Sequence, residues 1–542
     1  MSSPASAQIP FAVLEQLRGA ADAMGIDLPG MAKFAPTVDV TTPIRALAFE
    51  LGRLLSGRDL FLKAGEVGTV NAETGEWKRM AARRFPGWCE EFCAFKAPGA
   101  RRLRDSLAVE DAAQILEMDI FLEQLRPLES IHTMRLPVRR GGEGWSVEWL
   151  PEGYDAETRI YTVDRLKYPL DWSLEQAREF LDGHGEEYPW TWSTEEHGTV
   201  GTNRSWSAVV ATMVGVYCRA FFPPGTPRPM MAVLGNQPGT GKSTIVAMCL
   251  MAVYGHASAG KTPKDETEMD KELETAARVF APYLFLDDIG GGLFSSPLNR
   301  FITASSHAGR AMGGNSEMFR VPNVTQVFAT GNDIKISADL MRRSLVAELH
   351  LATEVRGRKY RRTITPMYLS KEETRKGFLA ALAALVRHTV ETIAEMKAEG
   401  VDYAEPGGME SFEDYTKTIS MIAQRAGYTD PLAAPELTAG GAEDEDEMRE
   451  LLIRLASETA LDVEFDRLEM VEAARRMGLL EGLVGGPGDK ELDSSAMKRW
   501  GRQLQRWRGR ELVDENGRRF RFSHRKQRRG AKYPLTFIAA KA

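Results

Sequence analysis

Residues 231–244 read MAVLGNQPGTGKST. An apolar run, 231–234, breaks into a glycine-rich turn that ends in Gly241, Lys242 and Ser243, and an apolar segment of helical character, 244–254, follows. Strand, loop and helix in that order form the context of a phosphate-binding loop. Gly239 and Gly241 lack a Cβ, so backbone N–H groups can close on phosphate oxygens. Asn236, Pro238, Thr240 and Thr244 complete the expected cradle. Lys242 is expected to reach the β- and γ-phosphates, and the Ser243 hydroxyl to hold Mg²⁺. The expected ligands are therefore ATP and Mg²⁺. The first glycine of the usual pattern falls on Asn236, with Gly235 one position early. Asn accepts left-handed backbone more readily than most residues, so the turn is expected to survive. The plain alternative is a glycine-rich turn that happens to precede a helix.

The chain has 542 residues, enough for three or four domains. Hydrophobic residues make up 43% and charged residues 27%, the balance of a soluble globular protein. No run of 18 apolar residues occurs, so no membrane span is expected. The first residues, MSSPASAQIPFAVLEQ, carry neither a basic start nor a long apolar core, so no secretory signal is expected. Cys89 and Cys93 have helical spacing but no second ligand pair beside them. They read as buried reduced thiols rather than a metal site, which fits a cytoplasmic location.

The net charge of −7 argues against a uniformly nucleic-acid-coated surface, but the charge is unevenly placed. Residues 498–532 hold fourteen Lys and Arg against three acidic residues, and 443–447 just upstream reads EDEDE. Four divisions are expected. Residues 1–195 form a mixed α/β region, with helices at 11–24 and 43–55, strands at 60–70 and 160–163, a helix at 172–181 beginning after Asp171, and a linker or docking segment at 188–192. Residues 196–370 form the nucleotide-binding core, entered by a helix at 205–221. Residues 371–445 hold two helices, 371–397 and 411–427, and a flexible acidic linker, 428–445. Residues 446–542 form a small basic domain.

Beyond the phosphate loop, 283–288 reads YLFLDD, an apolar strand ending in two carboxylates. A nucleoside triphosphatase needs one acid to hold Mg²⁺ and another to polarise water. Asp287 fits the first role. Asp288 fits the second, one methylene shorter than the usual Glu. A third strand, 325–330, ends in Gly331-Asn332-Asp333, and Asn332 is the candidate sensor of the γ-phosphate; the alternative is an Asn-Asp turn. Shortly after, DLMRRS offers Arg342 or Arg343 as a finger completing a neighbouring subunit's site. The alternative there is an ion pair with Asp339 or Glu348.

Taken with LNRFITASSHAGRAMGGNSEMFRVPNVTQVFATGNDIKISADLMRRSL and SFEDYTKTISMIAQRAGYTDPL, this series resembles the AAA+ ATPases of superfamily-three helicase type that accompany primases in bacteriophages and mobile elements. The likeness covers about 200–430, with a weaker echo over 490–538. It implies nucleotide binding by Gly239, Gly241, Lys242 and Ser243, Mg²⁺ handling by Asp287, a sensor at Asn332 and a finger at Arg342 or Arg343. It also implies a hairpin at 307–321 that grips single-stranded DNA in a ring channel, where Arg310, Arg320 and His307 could touch phosphate. Asn236 and Asp288 depart from the family pattern. No acidic metal triad of a primase can be placed in the N-terminal region.

At the C-terminus, 493–508 reads as a helix capped by Asp493 or Ser494, with Trp500, Leu504 and Trp507 on one apolar face. Lys498, Arg499, Arg502, Arg506 and Arg508 occupy much of the rest. A hairpin, 511–513 with 519–522 around the turn 514–517, and a last strand, 533–538, follow. Helix plus basic hairpin resembles a winged helix, which would place Arg499, Arg502 and Arg506 against duplex DNA. A solvated basic face is the bland alternative. The expected architecture is thus α/β: a P-loop AAA+ core, a mixed α/β N-terminal domain and a C-terminal winged-helix-like domain. The expected function is an ATP-driven DNA helicase or translocase in phage or mobile-element replication. It would work as a homo-oligomer, a hexameric ring, on single-stranded and duplex DNA, with a primase as a further partner. The alternative is an ATP-switched DNA-binding initiator or helicase loader.

Overall fold

Two helices, α1 (Leu174–Gly185) and α2 (Arg204–Tyr217), lead into the strand β1 (Met230–Gly235) and the helix α3 (Lys242–Tyr254). In α2, Ser205 through Tyr217 are all buried. A helix apolar on every side has no face to give to solvent, so α2 and α3 must lie inside. These elements come from a computed structural model that describes residues 36–96, 106–140, 145–190, 199–260, 262–290, 292–310, 318–332, 334–350, 361–433, 447–457, 463–486, 492, 497, 500–501, 504, 507, 511–513, 519–522, 525–527 and 530–538. The expected helix at 11–24 lies outside them.

The chain continues through α4 (Glu266–Arg278), β2 (Tyr283–Ile289), α5 (Ser296–Thr303), the antiparallel pair β3 (Ser306–Arg310) and β4 (Met318–Pro322), β5 (Gln326–Asn332) and β6 (Ser344–Leu349). Two long helices close the series, α6 (Glu372–Ala398) and α7 (Glu413–Arg425). Four strands form a parallel sheet in the order β2-β5-β1-β6. Successive side chains on a strand point to opposite faces. Met231, Val233, Phe285, Phe328, Leu345 and Ala347 accordingly join one core, with α2, α3, α6 and α7. Met230, Ala232, Leu234, Leu284, Leu286, Val327, Ala329 and Val346 join a second, with α4 and α5. A parallel sheet covered on both faces reads as continuous apolar strands, which is why 231–234 and 283–286 show no alternation.

The first core crosses the expected divisions. It takes in Met134, Leu136, Leu150, Ile160, Tyr188 and Trp190 from before residue 195, and α6 and α7 from after residue 370. Helix α6 has mean hydropathy 1.3 over its most apolar stretch, enough by length and composition to cross a membrane. That stretch is 67% buried within the protein, as befits a core helix. Residues 36–125 have their own core around Leu47, Leu51, Phe85, Phe95 and Phe121, which includes the buried thiols Cys89 and Cys93. Burial raises both thiols, Cys93 to about 12.

Several expectations need correction. The single strand at 60–70 is a hairpin, Phe61–Lys63 against Glu66–Val70, because Ala64 (φ +52°) and Gly65 (φ +79°) take the two left-handed positions of a tight turn. Helix α1 starts at Leu174 rather than after Asp171; Ser173 accepts from Gln176 N and Gln176 reaches back to Ser173 N, a capping box. The helix expected at 205–221 ends at Tyr217, and Arg219–Phe221 turn as a 3-10 helix. The segment expected as a linker from 428 is docked up to 433. Tyr428 is buried, its hydroxyl 3.1 Å from Asp182 Oδ1, and Thr429 Oγ1 donates to Thr202 O. The acidic run 443–446 lies outside the described residues.

The C-terminal region builds a third core from Met448, Leu451, Met470, Trp500, Leu504, Trp507 and Phe522. Met497, Trp500, Gly501 and Leu504 are helical, so the apolar face expected in 493–508 is the buried one. Glu511–Val513 pairs antiparallel with Arg519–Phe522, and Gly530–Ile538 pairs with Arg519–Phe522, Arg525–Gln527 and Val463–Phe465.

The close approach of α2 to α7 depends on Gly215. A methyl group there would lie 1.9 Å from Tyr415 Oη, and Tyr415 is fully buried against Phe222. Ala would favour the helix by about 1 kcal/mol, while overpacking a rigid ring costs about 1–3 kcal/mol. The clash should win. Gly215→Ala is expected to lower the denaturation midpoint, and a raised midpoint would contradict this packing.

Candidate nucleotide site

Parallel strands that share a register present their C-terminal ends along one edge. Gly235 pairs with Asn332, and β2 ends beside β5 with Asp287 and Asp288 at its tip. A bulge between Leu286 and Ile289 shifts the pairing there, and Asp288 sits at φ +52°. Asp tolerates left-handed backbone better than most residues, and such outliers collect at functional sites.

The loop after β1 turns through Gly239 (φ +81°) and Gly241 (φ +104°), conformations that need glycine. Gly241 is the N-cap of α3. Asn236 is not among the residues with positive φ, contrary to expectation; its N–H instead donates to Leu349 O at 3.3 Å, extending the pairing of β1 with β6. The Asn in place of the first glycine therefore needs no left-handed turn. Gly235 has a different constraint: a Cβ would come 2.7 Å from Thr240 Oγ1 and 3.2 Å from Lys242 Cδ.

The polar groups at this edge are mutually bonded. Lys242 Nζ donates to Asn332 Oδ1 at 2.5 Å, to Gln237 O at 3.3 Å and to Thr240 Oγ1 at 3.3 Å. Ser243 Oγ donates to Asp287 Oδ1 at 2.7 Å. Asn332 Nδ2 donates to Asp288 Oδ1 at 3.2 Å. Burial lowers the Lys242 ammonium below its ordinary range, opposed by the Asp288 and Asp287 carboxylates. A cavity of about 390 Å³ opens here, lined by Gly239, Thr240, Gly241, Lys242, Ser243 and Thr244 and also by Glu187, Tyr188, Arg362, Thr363 and Ile364. Asn236 and Pro238 do not line it. The donor set suits a triphosphate with its cation: backbone N–H groups and an ammonium for the phosphates, a hydroxyl and a carboxylate for Mg²⁺.

The remaining expected residues lie elsewhere. Arg342 is exposed and paired with Asp339 at 2.5 Å, with Glu410 at 3.8 Å. Arg343 is more enclosed, 3.4 Å from Asp339 and donating to Asn299 O at 3.0 Å. Glu348 is buried. Arg310 ends β3, in register with Met318 on β4. Arg320 is exposed on β4, with Nε donating to Ser306 Oγ at 3.2 Å. The tip of this hairpin, 311–317, and Arg499, Arg502 and Arg506 lie outside the described residues.

Sequence reasoning missed Thr330. Its hydroxyl donates to Asp287 Oδ1 at 2.6 Å and accepts from Asp288 N at 2.9 Å, tying the Asp287 carboxylate to the Asp288 backbone. The signal was its place two positions before Asn332, directly after the apolar run 327–329. Thr262 was missed too; its hydroxyl donates to Asp287 O at 2.7 Å. Tyr188 and the stretch 362–364 carry no local signature, because they meet the phosphate loop only through the fold.

No protein-family model and no curated protein sequence matches this chain. Among solved structures, the chain is similar to the A form apo structure of the NrS-1 C-terminal region. The identity is 10% and the TM-score 0.35, over 90% of this chain and 98% of that one. It is similar to the SCCmec type IV Cch active helicase at 10% identity and a TM-score of 0.33, over 89% and 92%. The JCV helicase shares 14% identity at a TM-score of 0.24, over 51% of this chain and 65% of that one. Likeness at these scores carries no argument about what this chain does, which rests on the geometry above.

Thr330→Val keeps the shape but strips Asp287 of a donor and leaves Asp288 N–H without its acceptor. Losing a hydrogen bond to a charged group costs about 1.5–3 kcal/mol. Mg²⁺-dependent ATP affinity is expected to fall at least about tenfold, with Thr330→Ser restoring it. Titration of both variants with and without Mg²⁺ checks this; equal affinities would remove Thr330 from the site.

Proposed function

We propose that the chain is an ATP-driven DNA helicase or translocase with a P-loop AAA+ core of superfamily-three type, acting in replication of a phage or mobile element. The observation that carries the reading is the meeting of Lys242, Ser243, Asp287 and Asn332 at one edge of a parallel sheet, bonded in pairs beside a cavity. Lys242 and Asn332 would bind the γ-phosphate of ATP, and Ser243 and Asp287 would hold Mg²⁺, which would offset the phosphate charge. Asp288, steered by Asn332, orients the attacking water. Arg342, the more exposed of the two arginines, reaches a neighbouring subunit's nucleotide in a hexameric ring. The hairpin β3–β4 carries Arg310 and Arg320 toward single-stranded DNA, and the basic C-terminal domain, winged-helix-like, holds duplex through Arg499, Arg502 and Arg506. A primase is a further partner, and the setting is cytoplasmic.

One observation favours a second reading, an initiator or loader that uses ATP as an assembly switch. Asp288 is short and left-handed, and its carboxylate is already bonded to Asn332. Strand displacement on a forked substrate separates the two. The helicase reading expects unwinding that requires ATP and is lost in Lys242→Ala, together with ATP hydrolysis. Wild-type hydrolysis by folded Lys242→Ala would end the nucleotide-site assignment, and hydrolysis without unwinding would favour the switch. If Arg342 acts in trans, mixing Arg342→Ala with Lys242→Ala subunits restores part of the activity.

Removal of 491–542 should weaken duplex binding and flatten its salt dependence, since each phosphate contact contributes roughly 0.9 to the log–log slope. An unchanged slope would assign the basic tail to solvent.

A further inference from the structure

The phosphate loop accounts for only one wall of the cavity. The remaining lining comes from two stretches far apart in sequence, Glu187 with Tyr188 after α1, and 362–364 ahead of α6. We infer that this second wall is the nucleoside end of the site: the base of a nucleoside triphosphate lies against the Tyr188 ring and the Ile364 side chain, and Glu187 is a positioning residue that holds the wall together. The inference deepens the nucleotide-site reading and rests on it.

The geometry fixes the wall to the loop. An added Cβ on Gly241 would lie 2.8 Å from Tyr188 Cε1, so the ring packs directly on the left-handed turn that opens α3. Tyr188 is held in turn by the sheet. His350 N donates to Pro189 O at 2.8 Å, and Trp190 forms a bridge to Leu349 at the end of β6. Tyr188 and Trp190 pack in a tilted pair, ring centroids 5.7 Å apart and planes at 48°.

The other half is tied on by Glu187. Its Oε1 accepts from Arg362 N at 2.8 Å and its Oε2 from Arg361 N at 3.1 Å. Glu186 adds an ion pair to Arg361 at 3.1 Å, and Arg362 Nη1 lies 3.1 Å from the His184 ring nitrogens. With its carboxylate engaged by two backbone donors, Glu187 acts on the wall and not on the ligand.

A nucleoside triphosphate is charged at one end and flat and aromatic at the other. Lys242, Ser243 and the loop N–H groups claim the charged end. Tyr188 and Ile364 are the aromatic and aliphatic surfaces left in the same cavity, and Thr363 and Arg362 stand beside them at its rim. Contact of a base with an aromatic face tolerates any base, because each has a π-face.

The test compares two probes on the full chain, ATP and inorganic tripolyphosphate, by calorimetric titration with Mg²⁺. Tyr188→Ala and Ile364→Ala are each expected to weaken ATP about tenfold while leaving tripolyphosphate unchanged. Tyr188→Phe should bind ATP as the wild type does. Glu187→Ala should show the same ATP-only loss, and Glu187→Gln, which keeps one acceptor, should recover part of it. Retained tripolyphosphate affinity also reports that the variants are folded around the loop. Wild-type ATP affinity in both Tyr188→Ala and Ile364→Ala overturns the inference while leaving the phosphate loop intact. Equal loss of both probes also overturns it, making the wall a support for the loop. A wild-type chain that binds neither probe sinks the nucleotide-site reading itself.

Discussion

The parallel pairing of β1 with β5, in a register that sets Gly235 opposite Asn332, is the constraint on which the site depends. Parallel strands end on the same edge, so the glycine turn after β1 and the polar tip of β5 must meet there. The Lys242–Asn332 bond at 2.5 Å is the consequence. A shift of one residue would turn every strand side chain to the opposite face. The two cores of the sheet, one with α2 and α3 and the other with α4 and α5, forbid that shift.

This arrangement keeps charged groups at the rim of an otherwise apolar sheet without leaving them unpaired. Lys242 is buried, yet three oxygens accept from its ammonium. Asp287 receives hydroxyl bonds from Ser243 and Thr330. Burying a polar group is costly unless it is bonded, so these contacts stabilise the edge.

The phosphate loop, the carboxylate pair and the Asn at the third strand tip were legible in the sequence because each is a local pattern of strand followed by turn. The buried face of the C-terminal helix was legible too, since Trp500, Leu504 and Trp507 recur at helical spacing. The left-handed role expected of Asn236 was not borne out, because the carbonyl that takes its N–H belongs to Leu349, on a strand more than a hundred residues later. The hairpin at 61–70 was read as one strand because Ala64 carries no turn signal of its own.

By itself the sequence determined where the glycine turn and the strand-end carboxylates fall, and that strands and helices alternate, through glycine placement and apolar runs. Only the tertiary structure decided what those residues meet. Thr330 became the link between Asp287 and Asp288 through strand pairing, and Tyr188 became the neighbour of Gly241 because α1 joins the core of a sheet that begins some forty residues later. Contacts between distant segments are set by burial and register across the whole core, and these leave no short-range pattern in a single chain.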